Sequence, residues 1–531
     1  MQKRIAQVHI CTNESVMTNP LANPESQSEG SRFVVVGAGP SGLTAASELV
    51  DRNHQVTVLE QLSLVGGISR TEKHKGYHFD MGGHRFYTKA AEVNRFWERM
   101  LGDQFITRSR LSRIFYNGWF FPYPLKPVET VRGLGFIECV LILCSVIRWK
   151  LFPYREENTF EEWVTNRFGR RLFNTFFRTY TEKVWGISCK ELKAEWAAQR
   201  ISGLSLKTAV LNMFFRPRNV VKTLIEQFEY PRLGPGMMWE AVADHVREQG
   251  GCIAMEATTT SIQTNGKDQV LSITYRQGDE EVVLPGSHFL FSMPITAVIR
   301  GMNPPPPPQV LDAAKHLKYR DFLTVCLIID KPDLFPDNWI YIHDSSVQTG
   351  RIQNYGNWSP DMVPEAGRSG LGLEYFCNVG DDLWNTSEED LVELAKRELE
   401  ILGLANASDV IDGVVYRVPK AYPVYDADYK QHLTVLRDYL RGFTNMQMIG
   451  RNGLHRYNNQ DHAMLTGMYA VKNLLDGTDF DLWKVNGEQE YLEEIRRDDK
   501  GTREPASGSS VVAKPNTMAG STADAQTVHA R

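Results

Sequence analysis

Three glycines at fixed spacing, in Gly37-Ala38-Gly39-Pro40-Ser41-Gly42, are the residues whose chemistry is easiest to read, and that chemistry is recognition of a pyrophosphate. Gly37 permits a tight turn, Gly39 lets the backbone approach the phosphates, and Gly42 lets a helix pack close to a sheet. The phosphates then meet the positive end of that helix, which Pro40 and Ser41 open. Glu60 follows where an acid hydrogen-bonds a ribose hydroxyl. The elements that must position these residues are a buried parallel strand at Phe33-Val34-Val35-Val36, a helix, and a second strand at Gln55-Val56-Thr57-Val58-Leu59. Together they predict a dinucleotide-binding βαβ unit.

Gly66-Gly67-Ile68-Ser69-Arg70 comes next. With it the chain resembles the flavoprotein group of amine oxidases, protoporphyrinogen oxidases, phytoene desaturases and UDP-galactopyranose mutases, in which a Gly-Gly-x-x-Arg segment wraps the FAD diphosphate. The resemblance implies FAD, held by Gly37, Gly39, Pro40, Ser41, Gly42, Glu60, Gly66, Gly67 and Arg70. Residues far apart in the chain, from Phe33 to about Leu475, further resemble the UDP-galactopyranose mutases, most clearly the eukaryotic type.

Gly82-Gly83-His84 resembles the mutase loop beside the flavin, where a His and its backbone sense the redox state at N5, and Tyr87 falls where that family has an aromatic near the uracil. Phe121-Pro122-Tyr123-Pro124-Leu125 resembles the segment whose Tyr reaches the nucleotide; Lys126 stands where the family often has Gln, which leaves the base or sugar preference open. Lys183-Val184-Trp185-Gly186, with Trp196 and Arg200, resembles the helix-loop-helix that bears on the substrate, although both tryptophans suit a core equally well. Arg200, on an otherwise apolar helix beside a cofactor, needs an anion to offset its desolvation. Trp339-Ile340-Tyr341, Arg351 and Asn357-Trp358-Ser359-Pro360 repeat the spacing with which the mutases present a Tyr and an Arg to the substrate diphosphate. A guanidinium fork matches phosphate oxygens two at a time. Ile449-Gly450-Arg451 reads as a strand ending at the cofactor, and 463–475 as the closing helix. By resemblance Gly450, Arg451, Asn459 and Gln460 serve the cofactor, Arg451 the phosphates, Tyr457 a substrate phosphate oxygen and Asn459 the sugar nucleotide.

The implied protein is a flavoenzyme: a nucleotide-sugar mutase, or intramolecular transferase, interconverting pyranose and furanose forms of a UDP-hexose for cell-surface polysaccharide biosynthesis. In that chemistry N5 of reduced FAD attacks the anomeric carbon, NADPH or NADH is the external reductant, and no metal or side-chain nucleophile is needed. His84, Arg351 and Arg451 are the expected catalytic residues. Tyr87, Tyr123, Trp185, Arg200, Tyr341, Arg351, Tyr457 and Asn459 are expected at the substrate. The alternative is an FAD-dependent oxidoreductase of amine oxidase, protoporphyrinogen oxidase or desaturase type, for which the apolar run 136–147 would suit a lipophilic channel. The Arg and Tyr positions favour an anionic ligand instead.

A chain of 531 residues exceeds a single core. Its net charge of −5 gives no sign of a nucleic-acid-binding surface. Seven scattered cysteines without a C-x-x-C pair argue for reduced thiols in a cytoplasmic protein and against a structural metal. Residues 1–30 and 499–531 read as a disordered leader and tail. The run 136–147 is shorter than the ~20 residues a bilayer crossing needs, and burial inside the protein is favoured over peripheral membrane contact. The expected fold is α/β. A Rossmann-type FAD-binding domain in three pieces (31–110, 232–302, 444–485) carries an inserted, discontinuous α+β substrate domain, mostly helical in 111–231 and adding an antiparallel sheet in 303–443. Oligomeric state is left open.

Overall fold

The computed structural model describes residues 31–123, 125–194, 223–224, 227–485 and 494–495. Trp196, Arg200 and the expected leader and tail lie outside the described residues. The fold is α/β. A parallel sheet runs in the order Cys252–Ala254, Gln55–Leu59, Arg32–Val36, His288–Phe291, Met446–Met448. Its central strands are near-continuous apolar runs because both faces are covered: Phe33, Val34, Val35, Phe289, Leu290 and Phe291 are fully buried. Helix Pro40–Val50 packs against helices Gly236–Glu248 and Gln460–Leu475. A Cβ on Gly467 would lie 2.4 Å from the Ser41 carbonyl oxygen, so only glycine admits the closing helix this near.

A second sheet of seven strands runs in the order Val410–Pro423, Tyr319–Ile329, Ser369–Cys377, Arg351–Asn354, Trp339–Ile342, Ser112–Tyr116, Trp119–Pro122. All its pairings are antiparallel except that of Trp339–Ile342 with Ser112–Tyr116. Alternation along the strands divides its faces. Leu323, Val325, Ile340, Ile352, Leu371 and Leu373 join Leu391, Ala395 and Leu399 of helix Glu388–Ile401 in an aliphatic core. The opposite face presents Trp339, Tyr341, Phe322 and Phe376 to a second, largely aromatic cluster.

Two expectations fail. Segment 136–147 is not buried: it lies in helix Phe136–Leu151, of which only Ile142 and Val146 are buried hydrophobics. Its main neighbour, helix Phe160–Leu172, covers one side, approaching where a Cβ on Gly169 would sit 2.8 Å from the Val146 nitrogen. Nor are the cysteines uniformly reduced. Cys139, Cys144, Cys189, Cys326 and Cys377 are free, but Cys252 is disulfide-bonded. Among the described residues no single helix is long and apolar enough to cross a membrane.

Candidate functional site

The glycine-rich turn is held by backbone geometry. Gly37 adopts φ +100°, and a Cβ on Gly42 would fall 1.9 Å from the Gly37 carbonyl oxygen. The second glycine segment closes against the first: Gly66 N–H donates to the Ala38 carbonyl at 2.8 Å, and a Cβ on Gly67 would come within 3.3 Å of Gly39 Cα. Helix Pro40–Val50 begins at Gly39 with no side chain capping it, which leaves its first amide groups for a ligand. Glu60 is buried beside this turn, accepting from Ala38 N–H at 2.7 Å and Leu62 N–H at 2.9 Å. Burial raises its pKa against the pull of those amides. Arg70, also buried, pairs with Glu72 at 2.6 Å and donates to the Gly67 carbonyl at 3.0 Å, bracing the segment. Gly450 completes the cradle, for a Cβ there would sit 2.3 Å from Ser41 Oγ. Pro40, Ser41 and Gly42 are all buried at this junction. Backbone that admits no extra carbon at Gly37, Gly42 and Gly450, beside an uncapped helix N-terminus, fits a dinucleotide.

Strand register builds the facing wall. Tyr341 stands opposite Arg351, and Arg351 opposite Glu374, so three side chains from three strands form one row. Arg351 donates through Nε and Nη2 to Glu374 Oε2, the former at 2.9 Å, and through Nη2 to Tyr422 Oη at 3.2 Å. Gln353 Nε2 donates to the other Glu374 oxygen at 2.8 Å. The Tyr422 ring lies parallel to that of Tyr457, centroids 6.0 Å apart. Over those rings stands Arg451, 5.5 Å from Tyr422 and 4.8 Å from Tyr457. Its guanidinium donates to the Asn458 and Ala421 carbonyls. Tyr123 meets the row edge-on at Tyr341, centroids 5.5 Å apart, and Trp185 is a buried aromatic set edge-on to Tyr422.

His84 joins the two arginines. It is half-buried on the Gly82-Gly83 turn, where Gly82 adopts φ +97° and a Cβ on Gly83 would touch Trp358 at 3.2 Å. Nδ1 lies 3.0 Å from the Gly82 carbonyl, which assigns the proton to Nδ1 and leaves Nε2 as an acceptor. Burial, then the positive charges of Arg451 and Arg351, push its pKa down to about 3. Gln460 Nε2 donates to the Arg85 carbonyl at 3.0 Å, fastening this turn to the closing helix, while Gln460 Oε1 is buried without a partner among the described residues. Tyr87 lies half-buried on the same segment.

The structure therefore brings His84, Tyr123, Tyr341, Arg351, Arg451, Tyr457 and Gln460 into one neighbourhood. Asn459 is the N-cap of helix Gln460–Leu475, its N–H directed at His462 Nδ1 at 3.3 Å. Lys126 is exposed. Lys183 donates to the Asp344, Val347 and Thr349 carbonyls at 2.9–3.1 Å, so it ties down a loop. Glu374 and Tyr422 escaped the sequence reading. Glu374 had a signal, being the one acid in the wholly buried strand Ser369–Cys377. Tyr422 had none beyond its aromatic type. Arg85 and Arg110, both over the Trp339 ring at 5.2 and 5.5 Å, add further cations near Tyr123.

Comparison with known proteins bears on the fold. An NAD(P)-binding Rossmann-like domain family matches residues 35–100. The crystal structure of a reduced UDP-galactopyranose mutase superposes with a TM-score of 0.74 at 21% identity, covering 87% of this chain and 99% of that one, a likeness of fold. An L-amino-acid oxidase of Crotalus adamanteus is 35% identical over 380 residues, 66% of this chain and 66% of that protein. The "Probable UDP-galactopyranose mutase" of Klebsiella pneumoniae is 25% identical over 242 residues, 40% of this chain and 53% of that protein. Other L-amino-acid oxidases are matched over only 21–24% of their length.

Proposed function

From a chain that is UDP-galactopyranose mutase-like in fold, within the wider flavoprotein group that holds the amine and protoporphyrinogen oxidases, we propose an FAD-dependent mutase that interconverts pyranose and furanose forms of a UDP-hexose. One observation carries this reading. Arg351 and Arg451 share a partly enclosed aromatic cluster in which Glu374 is the carboxylate bonded to Arg351, while Arg451 has carbonyl partners. Carbonyls do not neutralise a guanidinium, and a site with surplus positive charge favours a polyanion such as a diphosphate.

The cradle of Gly37, Gly39, Gly42, Gly66, Gly67 and Gly450 would hold FAD, with Glu60 beside the turn and Gln460 at the other end. Bound there in its reduced form, FAD would supply a nucleophilic N5 for the anomeric carbon, with NADPH or NADH as the external reductant. The side chains do the rest. Arg351, oriented by Glu374 and Tyr422, and Arg451, resting on Tyr457, balance the charge that a departing UDP gathers. Glu374 keeps Arg351 in one orientation, so little reorganisation is left for the moment of reaction. Tyr341, Tyr422 and Tyr457 offer phenol groups to phosphate oxygens. His84 stays neutral, and its Nε2 accepts a hydrogen bond where a protonated ring would add a third positive charge. Trp185 and the neighbouring aromatics restrict water around these contacts.

A flavin-dependent L-amino-acid oxidase is the second reading, favoured by the 35% identity to such an enzyme and by the suitability of an arginine for a carboxylate. One experiment separates them. Dithionite-reduced, FAD-loaded protein is incubated with UDP-galactofuranose, and oxidised protein serves as control. The mutase reading expects UDP-galactopyranose from the reduced protein alone; no conversion, with peroxide released from the oxidised protein and an L-amino acid, would establish the oxidase instead.

A further inference from the structure

We propose that the helix pair spanning 127–151 docks on an anionic lipid surface, lying in the headgroup layer without crossing the bilayer. With about 3.6 residues per turn, Phe136, Val140, Cys144, Ile147 and Leu151 line one stripe of helix Phe136–Leu151, broadened by Ile137 and Leu143, and all are exposed. Exposure is extreme at its ends, 73% for Phe136, 76% for Ile137, 68% for Leu151 and 74% for Phe152. The preceding helix adds exposed Val128 and Val131. Contiguous apolar surface of this kind marks a docking face.

Charge selects the occupant. Arg148 and Lys150 are exposed and flank the stripe on either side at its C-terminal end; Arg132 and Lys126 are exposed on and before the preceding helix. None of the four makes an ion pair among the described residues. Helix Phe136–Leu151 carries one acid, Glu138, and Arg171 neutralises it through two bonds of 2.6 Å. Glu129 is the remaining exposed acid of the pair. An apolar stripe bordered by unpaired cations matches acyl chains below and anionic headgroups beside it. A protein groove would need acids at both borders.

Length and shape fix the depth. Sixteen residues rise about 24 Å, less than the ~30 Å hydrocarbon core, and Val128–Leu134 is bent by 112° from Phe136–Leu151. The buried side of the longer helix rests on Phe160–Leu172, so it presents its flank, not its end. Tyr123, whose ring meets Tyr341 in the cleft, lies just before the pair, and Gly133 packs on Phe121. Docking would therefore hold the rim of the cleft near the lipid surface.

The test sediments the FAD-loaded full chain with vesicles of phosphatidylcholine alone and of phosphatidylcholine mixed with phosphatidylglycerol. Binding is expected to the mixed vesicles, weakening with salt. Ile137→Asp with Leu151→Asp should abolish it, and Arg148→Ala with Lys150→Ala should weaken it about 25-fold, about five-fold per cation. All four positions are exposed, so flavin content and melting temperature should not move. A chain that sediments with neither vesicle overturns the proposal, as do variants that bind like the parent. So does a concentration-dependent dimer, dispersed by Ile137→Asp, that ignores lipid.

Discussion

In the glycine-rich turn the groups offered to a ligand are backbone amides, placed by glycines of which Gly37, Gly42 and Gly450 leave no room for a carbon; in the arginine cluster they are side chains from strands and loops more than a hundred residues apart, placed by register and by one carboxylate. The glycine turn is consequently most sensitive to added volume. The arginine cluster is most sensitive to lost charge, so the two can be perturbed separately.

The largest effect belongs to the cradle. Gly42→Ala places a Cβ 1.9 Å from the Gly37 carbonyl oxygen, a clash between two backbone segments. It should remove bound flavin and cost about 3 kcal/mol or more of stability, read from the flavin absorbance and the denaturant midpoint. A yellow, stable Gly42→Ala protein would dissolve the distinction.

In the cluster, Arg351→Ala strands the buried Glu374, and breaking a buried pair from one side costs about 3–5 kcal/mol. Arg351→Met with Glu374→Gln removes both charges and should keep the fold and the flavin while lowering UDP affinity on the order of 100-fold. Calorimetric titration with UDP measures this, and denaturation compares the single with the double variant. Tyr457→Phe removes one phenol and leaves the ring under Arg451, so a loss of about five- to ten-fold in UDP affinity is expected.

A separate effect is a pH dependence of stability. Asp80 is fully buried, accepting from Thr71 Oγ1 at 2.8 Å and from Tyr230 Oη, and burial raises its pKa from 3.8 to about 7. Between those values the folded protein binds the proton that the unfolded chain has lost, so this group's contribution to stability falls as pH rises from about 4 to about 7. Asp80→Asn should flatten that slope in denaturant midpoints measured across the range. His84, with its pKa near 3, should add no ionisation to an activity profile between about pH 5 and 8.

The βαβ unit was legible because its constraints are local: apolar runs buried on both faces and glycines a few residues apart. Tyr341, Arg351, Arg451 and Tyr457 could be picked out by resemblance, yet what holds them could not. Glu374 faces Arg351 only because Ser369–Cys377 pairs with Arg351–Asn354 in one register, and no spacing along the chain announces a partner set by strand pairing. Tyr422 enters from the end of another long strand for the same reason. The surface of 136–147 was misjudged because apolar composition cannot say whether a neighbour covers it; helix Phe160–Leu172 covers one stripe and leaves the rest open.

The shared cleft itself is tested by titrating UDP into FAD-loaded protein while recording the flavin difference spectrum. A saturable spectral change is expected in the parent and its marked weakening in Arg351→Met with Glu374→Gln, flavin content unchanged. A flavin spectrum indifferent to UDP in the parent, or a double variant that titrates like it, would place the diphosphate and the flavin in different parts of the molecule.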